Sequence, residues 1–317
     1  MLWRILMYTE KMHTTPIVEL GKDNNNNYLW IKREDLIPFS FGGNKARKAA
    51  LFFKEIEAGG YDSVVTYGTS SSNHCRIVAN ECCKRGLKCY IISPEEAREE
   101  TFNSQMMKLF EAEITIVSVE KVHDTIEYKK AQLKRDGHNP YFIEGGGHGN
   151  IGTEAYVQCY QEIKEQEKEH NIYFDYIFLA SGTGTTQAGL VCGQLLNSDE
   201  RSIIGISVAR KNPRGRNVVI NSIKSYLGNA FPEDIIQKNT VFLDDYTSGY
   251  GGKDAAVSDM IGYALKKYGI PLDATYTGKA FVGMNDQIKK IMNKNILFIH
   301  TGGTPLFFDV LRRQDSL

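Results

Sequence analysis

One lysine and three loops rich in glycine, serine and threonine are the residues in this sequence best suited to do chemistry together. The lysine is Lys45, in Phe41-Gly42-Gly43-Asn44-Lys45. Paired glycines allow a sharp turn, and Asn44 can bond that turn or a ligand. Lys45 falls in the first turn of a predicted helix whose Ala46, Ala49, Phe53 and Ile56 share one face. The helix dipole disfavours an ammonium there, so with some burial the amine loses its proton more easily and becomes a nucleophile. A solvated lysine beside Arg47 and Lys48 explains the same three residues equally simply.

The loop Gly182, Thr183, Gly184, Thr185, Thr186 lies between a predicted strand and a predicted helix. Small residues let its amides converge on an anion, and the helix dipole adds to the attraction. No Gly-Lys-Ser/Thr follows, so it is not a Walker loop, and Gln187 leaves GxGxxG incomplete. It reads as a cradle for a phosphate monoester, against a plain tight turn. The loop over 69–74 ends in Ser72, Asn73 and His74 and suits a small carboxylate, although a cluster of helix caps uses the same residue types. The loop over 300–305 contains Gly302 and Gly303, which permit close backbone approach; it also reads as a helix entry with Pro305 in the first turn. A lysine amine, a phosphate cradle and a carboxylate pocket together point to pyridoxal 5'-phosphate acting on an amino acid, with Lys45 linked to the cofactor.

The elements that must position these groups alternate. Extended chain at Thr14 to Val18 and a polar turn over 24–27 precede a predicted strand at 28–32. Strands near 63–67, 89–93, 114–119 and 141–143, separated by helices, form a compact βα unit. The glycine-rich stretch 145–149 is its exit. A long helix over about 152–168 leads to strands near 176–180, 203–208 and 296–300, with helices between them. Such alternation implies mostly parallel sheets with both faces covered, and ligands bound beyond the carboxyl ends of the strands.

Composition narrows the class. The 317 residues are 42% hydrophobic and 24% charged, with zero formal net charge, as in a globular protein with a real core. Neither a nucleic acid nor an anionic membrane is expected as partner. Residues 1–12 lack the pattern of a secretory signal, and no apolar run reaches membrane-spanning length. Six cysteines without CxxC pairs suit a reduced, cytoplasmic setting, and the histidines show no HxxxH or HExxH spacing for a metal.

The ordered blocks from about Thr15 to Phe308 resemble the fold type II pyridoxal-phosphate enzymes, in the branch of D-cysteine desulfhydrase and 1-aminocyclopropane-1-carboxylate deaminase. The blocks are Lys-Arg-Glu-Asp-Leu at 32–36, Phe-Gly-Gly-Asn-Lys at 41–45, Ser-Asn-His at 72–74 and Gly-Thr-Gly-Thr-Thr-Gln-Ala-Gly-Leu at 182–190. Gly-Tyr-Gly at 249–251, Tyr-Thr-Gly-Lys-Ala at 276–280 and His-Thr-Gly-Gly at 300–303 complete the set. The resemblance implies two βα open-sheet domains of the tryptophan synthase β type, with the site in the cleft between them. Residues 1–44 plus 152–317 would form the larger, cofactor-binding domain. Residues 45–151 would form the smaller one, carrying the lysine and the carboxylate loop.

It implies further that Lys45 holds the cofactor, that Asn44 contacts the pyridine 3'-oxygen, and that residues 182–186 hold the phosphate. Ser72 would bind the substrate carboxylate, with Asn73 and His74, or serve as proton relay or nucleophile. Tyr250 and Tyr276 would flank the substrate and shuttle protons. Thr277 takes the place of the deaminases' glutamate against the pyridine nitrogen. A neutral hydroxyl there suits β-elimination of a good leaving group better than ring opening. The implied activity is a lyase converting D-cysteine, or a related β-substituted alanine, to pyruvate, ammonia and the leaving group. Alternatives are the cyclopropane deaminase, a β-replacement enzyme, or a silent amino-acid-binding protein of the same fold. A homodimer is expected by analogy. Ser71, Glu144, His148, Gly149, Gly251 and Gly252 depart from the family pattern in loops that face the substrate, which bears on substrate identity rather than on the cofactor.

Overall fold

The computed structural model describes residues 14–97, 99–247, 249 and 254–312. Two sheets organise them. The larger has the order β1-β2-β10-β7-β8-β9 and the smaller β5-β4-β3-β6. Strands β1 (Ile17–Lys22) and β2 (Tyr28–Lys32) form the antiparallel hairpin expected around the asparagine turn. Asp23 closes that turn by accepting the amides of Asn25 and Asn27, both at 2.8 Å. The other pairings are parallel: β10 (Asn295–Ile299) lies between β2 and β7 (Tyr176–Ser181), and β8 (Ser202–Ser207) and β9 (Val241–Leu243) follow. In the smaller sheet β3 (Ser63–Tyr67), β4 (Lys88–Pro94), β5 (Glu113–Val117) and β6 (Pro140–Ile143) are likewise parallel.

Continuous apolar strands such as β7 need cover on both faces, and the helices supply it. Ile177 and Leu179 point toward α5 (Asn150–His170), α6 (Thr185–Leu196) and α7 (Arg214–Leu227). Phe178 and Ala180 point the other way, into a core shared with α9 (Ala255–Tyr268), α10 (Thr277–Gln287) and α11 (Thr304–Arg312). The lysine-bearing helix α1 (Asn44–Ala58) packs Ala46, Ala49, Phe53 and Ile56 into the core of the smaller sheet, with α2 (Asn73–Arg85) and Met107 of α3 (Phe102–Leu109). Helix α4 (Val122–Arg135) covers its opposite face through Ile126 and Leu133.

Three elements have no counterpart in the sequence reading, α8 (Glu233–Asn239), β9 and α10, while α11 is the helix whose entry was read at Pro305. Glycines weaken the helical pattern of α10, yet Gly283 is there for packing, since a Cβ would come within 2.9 Å of Ile206. Pro305 does occupy the first turn of α11.

A buried ionic cluster fastens α1 to the hairpin of the larger sheet. Arg47 grips Glu34 through Nε (2.6 Å) and Nη2 (2.7 Å) and reaches Glu162 through Nη1 at 2.8 Å. Lys32 donates to the same Glu162 at 2.6 Å, and the Tyr156 hydroxyl donates to Glu34 at 2.9 Å. Burial alone would raise the Glu34 pKa, but Arg47 and Lys32 outweigh it and bring the carboxyl down to about 2.

Candidate active site

The carboxyl ends of five strands, two from the smaller sheet and three from the larger, converge on one cavity of about 390 Å³. Tyr67 ends β3 and Gly146 follows β6; Gly182, Arg210 and Thr301 follow β7, β8 and β10. Lys45 enters from the first turn of α1, behind Gly43 at φ +95°. Its Nζ donates to the Gly146 carbonyl at 3.1 Å, and no described carboxylate pairs with it. The amine faces the cavity rather than bulk water, and enclosure by protein lowers its pKa to about 8. Burial is thus the cause of the lowered lysine pKa that the sequence led one to expect.

The loop expected to cradle a phosphate is the turn between β7 and α6. Gly184 at φ +91° adopts the left-handed region that begins α6, and the first amides of that helix are free of intrahelical partners. Gly182, Thr183, Gly184 and Thr186 line the cavity. Thr185 does not: its hydroxyl accepts from Lys48 Nζ at 2.6 Å. Lys48 is buried and has no carboxylate partner among the described residues, and desolvation together with the neighbouring Lys45 holds its pKa well below the usual lysine range. A buried amine beside an amide cradle calls for an anion. Asn44 Nδ2 donates to Thr186 Oγ1 at 3.0 Å, joining the two sides of the site.

The third group is the loop from β3 to α2. Ser72 caps α2 by accepting the Cys75 amide at 3.2 Å, and the same residue lines the cavity. Asn73 Oδ1 accepts from Asn103 Nδ2 at 2.9 Å and from Arg76 Nη2 at 3.4 Å, which leaves its amide nitrogen as the end available to the cavity. His74 Nε2 lies 2.9 Å from Thr66 Oγ1, whose single hydrogen goes to the Ile143 carbonyl at 2.7 Å. The imidazole must then donate from Nε2, with Nδ1 the lone-pair acceptor. Burial, with Lys45 and Lys48 nearby, keeps this ring neutral by holding its pKa well below the ordinary value.

Tyr276 lines the cavity. Thr277 is placed differently from the sequence expectation. It is buried in the first turn of α10, does not line the cavity, and its hydroxyl donates to Asp273 Oδ2 at 2.7 Å while accepting the Asp273 amide at 2.8 Å. Tyr250 lies outside the described residues; its neighbour Gly249 is held through its carbonyl by Lys279 Nζ at 2.6 Å.

Tyr67, Gly145, Gly146 and Arg210 line the cavity without having been singled out, and Thr301 and Gly302 bring in the third loop read from the sequence. Each of the first four stands at or just beyond a strand's carboxyl end, which is the signal that could have found them. Arg210 donates to the Gly182 carbonyl and so fixes the start of the cradle. The backbones at 43 and 302 nearly touch: a Cβ on Gly302 would fall 2.6 Å from the Gly43 Cα, and one on Gly43 would fall 2.8 Å from the Thr301 oxygen.

The amine, the glycine cradle and a second buried amine fit pyridoxal phosphate. The model of the pyridoxal-phosphate-dependent enzyme family matches residues 8–302. The chain belongs to that family.

The enzyme is 32% identical over 312 residues to D-cysteine desulfhydrase of Serratia proteamaculans, covering 93% of this chain and 92% of that one. It is 34% identical over 316 residues to the desulfhydrase of Yersinia enterocolitica, covering 93% of each. Among solved structures, a homologue of 1-aminocyclopropane-1-carboxylate deaminase superposes with a TM-score of 0.84 at 29% identity, over 95% of this chain and 93% of the other. The enzyme thus has the two-sheet fold type II architecture, with pyridoxal phosphate as its cofactor. Lys45, Lys48 and residues 182–186 are the groups that would hold it. Among the described residues no helix is long and apolar enough to cross a membrane, and the six cysteines are free thiols.

Proposed function

We propose that the enzyme is a carbon–sulfur lyase that converts D-cysteine, or a closely related β-substituted alanine, to pyruvate, ammonia and the leaving group. The observation that carries this is the Lys45 amine, buried without an acid partner among the described residues, sharing one cavity with the phosphate cradle and the loop of Ser72, Asn73 and His74. Bound pyridoxal phosphate supplies the electron sink that makes the Cα proton acidic. Ser72 and the Asn73 amide hold the substrate carboxylate, and residues 182–186 hold the cofactor phosphate. Lys45, with an amine that is neutral at moderately alkaline pH, takes the Cα proton. Tyr276 flanks the substrate, and His74 stays neutral. Loss of the proton from Cα and of hydrosulfide from Cβ, followed by addition of water and release of ammonia, balances to pyruvate.

In the same reading the enzyme is a cytoplasmic homodimer, with residues 45–151 as the smaller domain and 1–44 plus 152–317 as the larger. Six free thiols agree with a reducing compartment. Pyruvate release is the test, with D-cysteine, L-cysteine and 1-aminocyclopropane-1-carboxylate offered in parallel. D-cysteine should give the highest kcat/KM, and Lys45→Ala should abolish turnover. Preference for the cyclopropane substrate would replace this assignment by the deaminase.

A further inference from the structure

The fold compensates its buried cations unevenly. Arg47, Lys32 and Arg201 all have carboxylate partners, at 2.6 Å from Glu34, 2.6 Å from Glu162 and 2.7 Å from Glu167 respectively. Four other buried or cavity-enclosed cations pair with no carboxylate among the described residues: Lys45, Lys48, Arg76, and Lys279, whose ammonium is held by the carbonyls of Val208 and Gly249. The first two are accounted for by the cofactor. Arg76 is not.

Arg76 is fully buried on α2, one turn beyond Ser72, and its backbone amide donates to the Ser72 carbonyl at 3.2 Å. Its guanidinium donates to Ser40 Oγ at 2.9 Å and to Asn73 Oδ1 at 3.4 Å, lies 6.0 Å over the Phe41 ring, and leaves Nε without a partner. Its partners are therefore neutral. Burial with nothing to offset it brings its pKa down to about 9. An ion in this position is unfavourable in the empty protein and becomes favourable only when a negative charge arrives nearby.

The adjacent group that receives ligand is Asn73. With Arg76 and Asn103 both donating to its oxygen, Asn73 presents its amide hydrogens to the cavity, where Ser72 also stands. We infer that Arg76 is a positioning residue for the substrate carboxylate: it turns the Asn73 amide toward the cavity and leaves behind the Ser72–Asn73–His74 loop a positive charge that the incoming carboxylate completes. The inference rests on reading that loop as the carboxylate site. Its consequence is specificity. The site selects amino acids over amines or amides of the same shape, because only a carboxylate offsets the buried guanidinium.

The test uses holoenzyme and two probes, D-alanine and D-alaninamide, titrated by the absorption of the bound cofactor. D-alanine has no β leaving group, so the readout does not depend on elimination. Wild type should bind D-alanine at least tenfold more tightly than the amide. Arg76→Met should lose at least tenfold in D-alanine affinity and stay within twofold for D-alaninamide. Without ligand, Arg76→Met should melt no lower than wild type, since an uncompensated charge has been removed; a purely structural arginine would give the opposite. Arg76→Gln, which keeps polar ends, stands in with the same expected split should the methionine variant not fold. Equal losses for both probes, or a carboxylate preference that survives the substitution, would overturn the role of Arg76 alone. A wild-type holoenzyme that does not distinguish the probes would overturn the carboxylate site itself, and the inference with it.

Discussion

Asn44 Nδ2 donates to Thr186 Oγ1 at 3.0 Å, so the residue next to the reactive lysine is tied to the phosphate cradle across 142 positions of sequence. Neither half of the site is complete alone. The lysine comes from the helix that packs on the smaller sheet, the cradle from a turn of the larger one, and side chains of both line the same 390 Å³ cavity.

The amine of Lys45 should titrate near pH 8, below the ordinary 10.5, because burial disfavours its charged form. Only the neutral amine attacks the cofactor aldehyde. The rate at which apoenzyme regains the visible absorption on addition of pyridoxal phosphate should therefore rise with pH and level off above about pH 8. An inflection near 10.5 would mean that the amine is solvated. Lys45→Ala should lose the lysine-linked absorption band altogether.

Gly146 has φ +75°, and a Cβ there would fall 2.6 Å from Thr183 Cγ2, within the cradle. Gly146→Ala combines backbone strain with pressure on that threonine, at a cost of about 1–3 kcal/mol. Roughly a tenfold loss of cofactor affinity is expected, read by fluorescence titration of the apoenzyme with the fold retained by circular dichroism. An unchanged affinity would mean that the cradle does not depend on Thr183.

Glu34 gives a stability prediction with a definite sign. Its pKa in the folded protein is about 2 against an ordinary 4.5. The stabilisation is thus fully present above about pH 4.5 and is lost as pH falls through about 2. Glu34→Gln leaves Arg47 with one fewer buried charge partner, at a cost of about 3–5 kcal/mol. Urea unfolding at neutral pH should show this loss, and the variant's remaining stability should vary less than that of wild type between pH 4.5 and 2.

Thr277→Val removes the hydroxyl that donates to Asp273, a buried carboxylate whose pKa burial already raises. Stability should fall by about 1–3 kcal/mol for a polar group left short of a partner. The cofactor absorption maximum should stay in place, because the hydroxyl hydrogen is engaged by Asp273. A displaced maximum with stability unchanged would return Thr277 to the cofactor ring.

The lysine and the cradle were legible because their chemistry is local. Gly43 before Lys45, and Gly184 between a buried strand and a helix, are conformational requirements that a short window of sequence displays. The hairpin at residues 24–27 was legible for the same reason, with Asp23 and the asparagines closing their own turn. Tyr67, Arg210 and Gly146 were not, since their facing one cavity depends on how two sheets oppose each other over long sequence distances. Thr277 shows the converse. Its place next to Tyr276 was evident, but the engagement of its hydroxyl by Asp273 depends on a turn folding back over four residues. Helix α10 escaped notice because Gly278 and Gly283 serve contacts rather than helix propensity.

The near contact of Gly43 with Gly302 sets a boundary for anyone reshaping this catalyst. Even a methyl group at either position would wedge two main chains apart and drag the lysine away from its cofactor, so a mutant library aimed at new substrates does best to keep both invariant. Ser71, Glu144 and His148, which lie in loops rather than at that crossing, offer diversity away from the place where the two main chains meet.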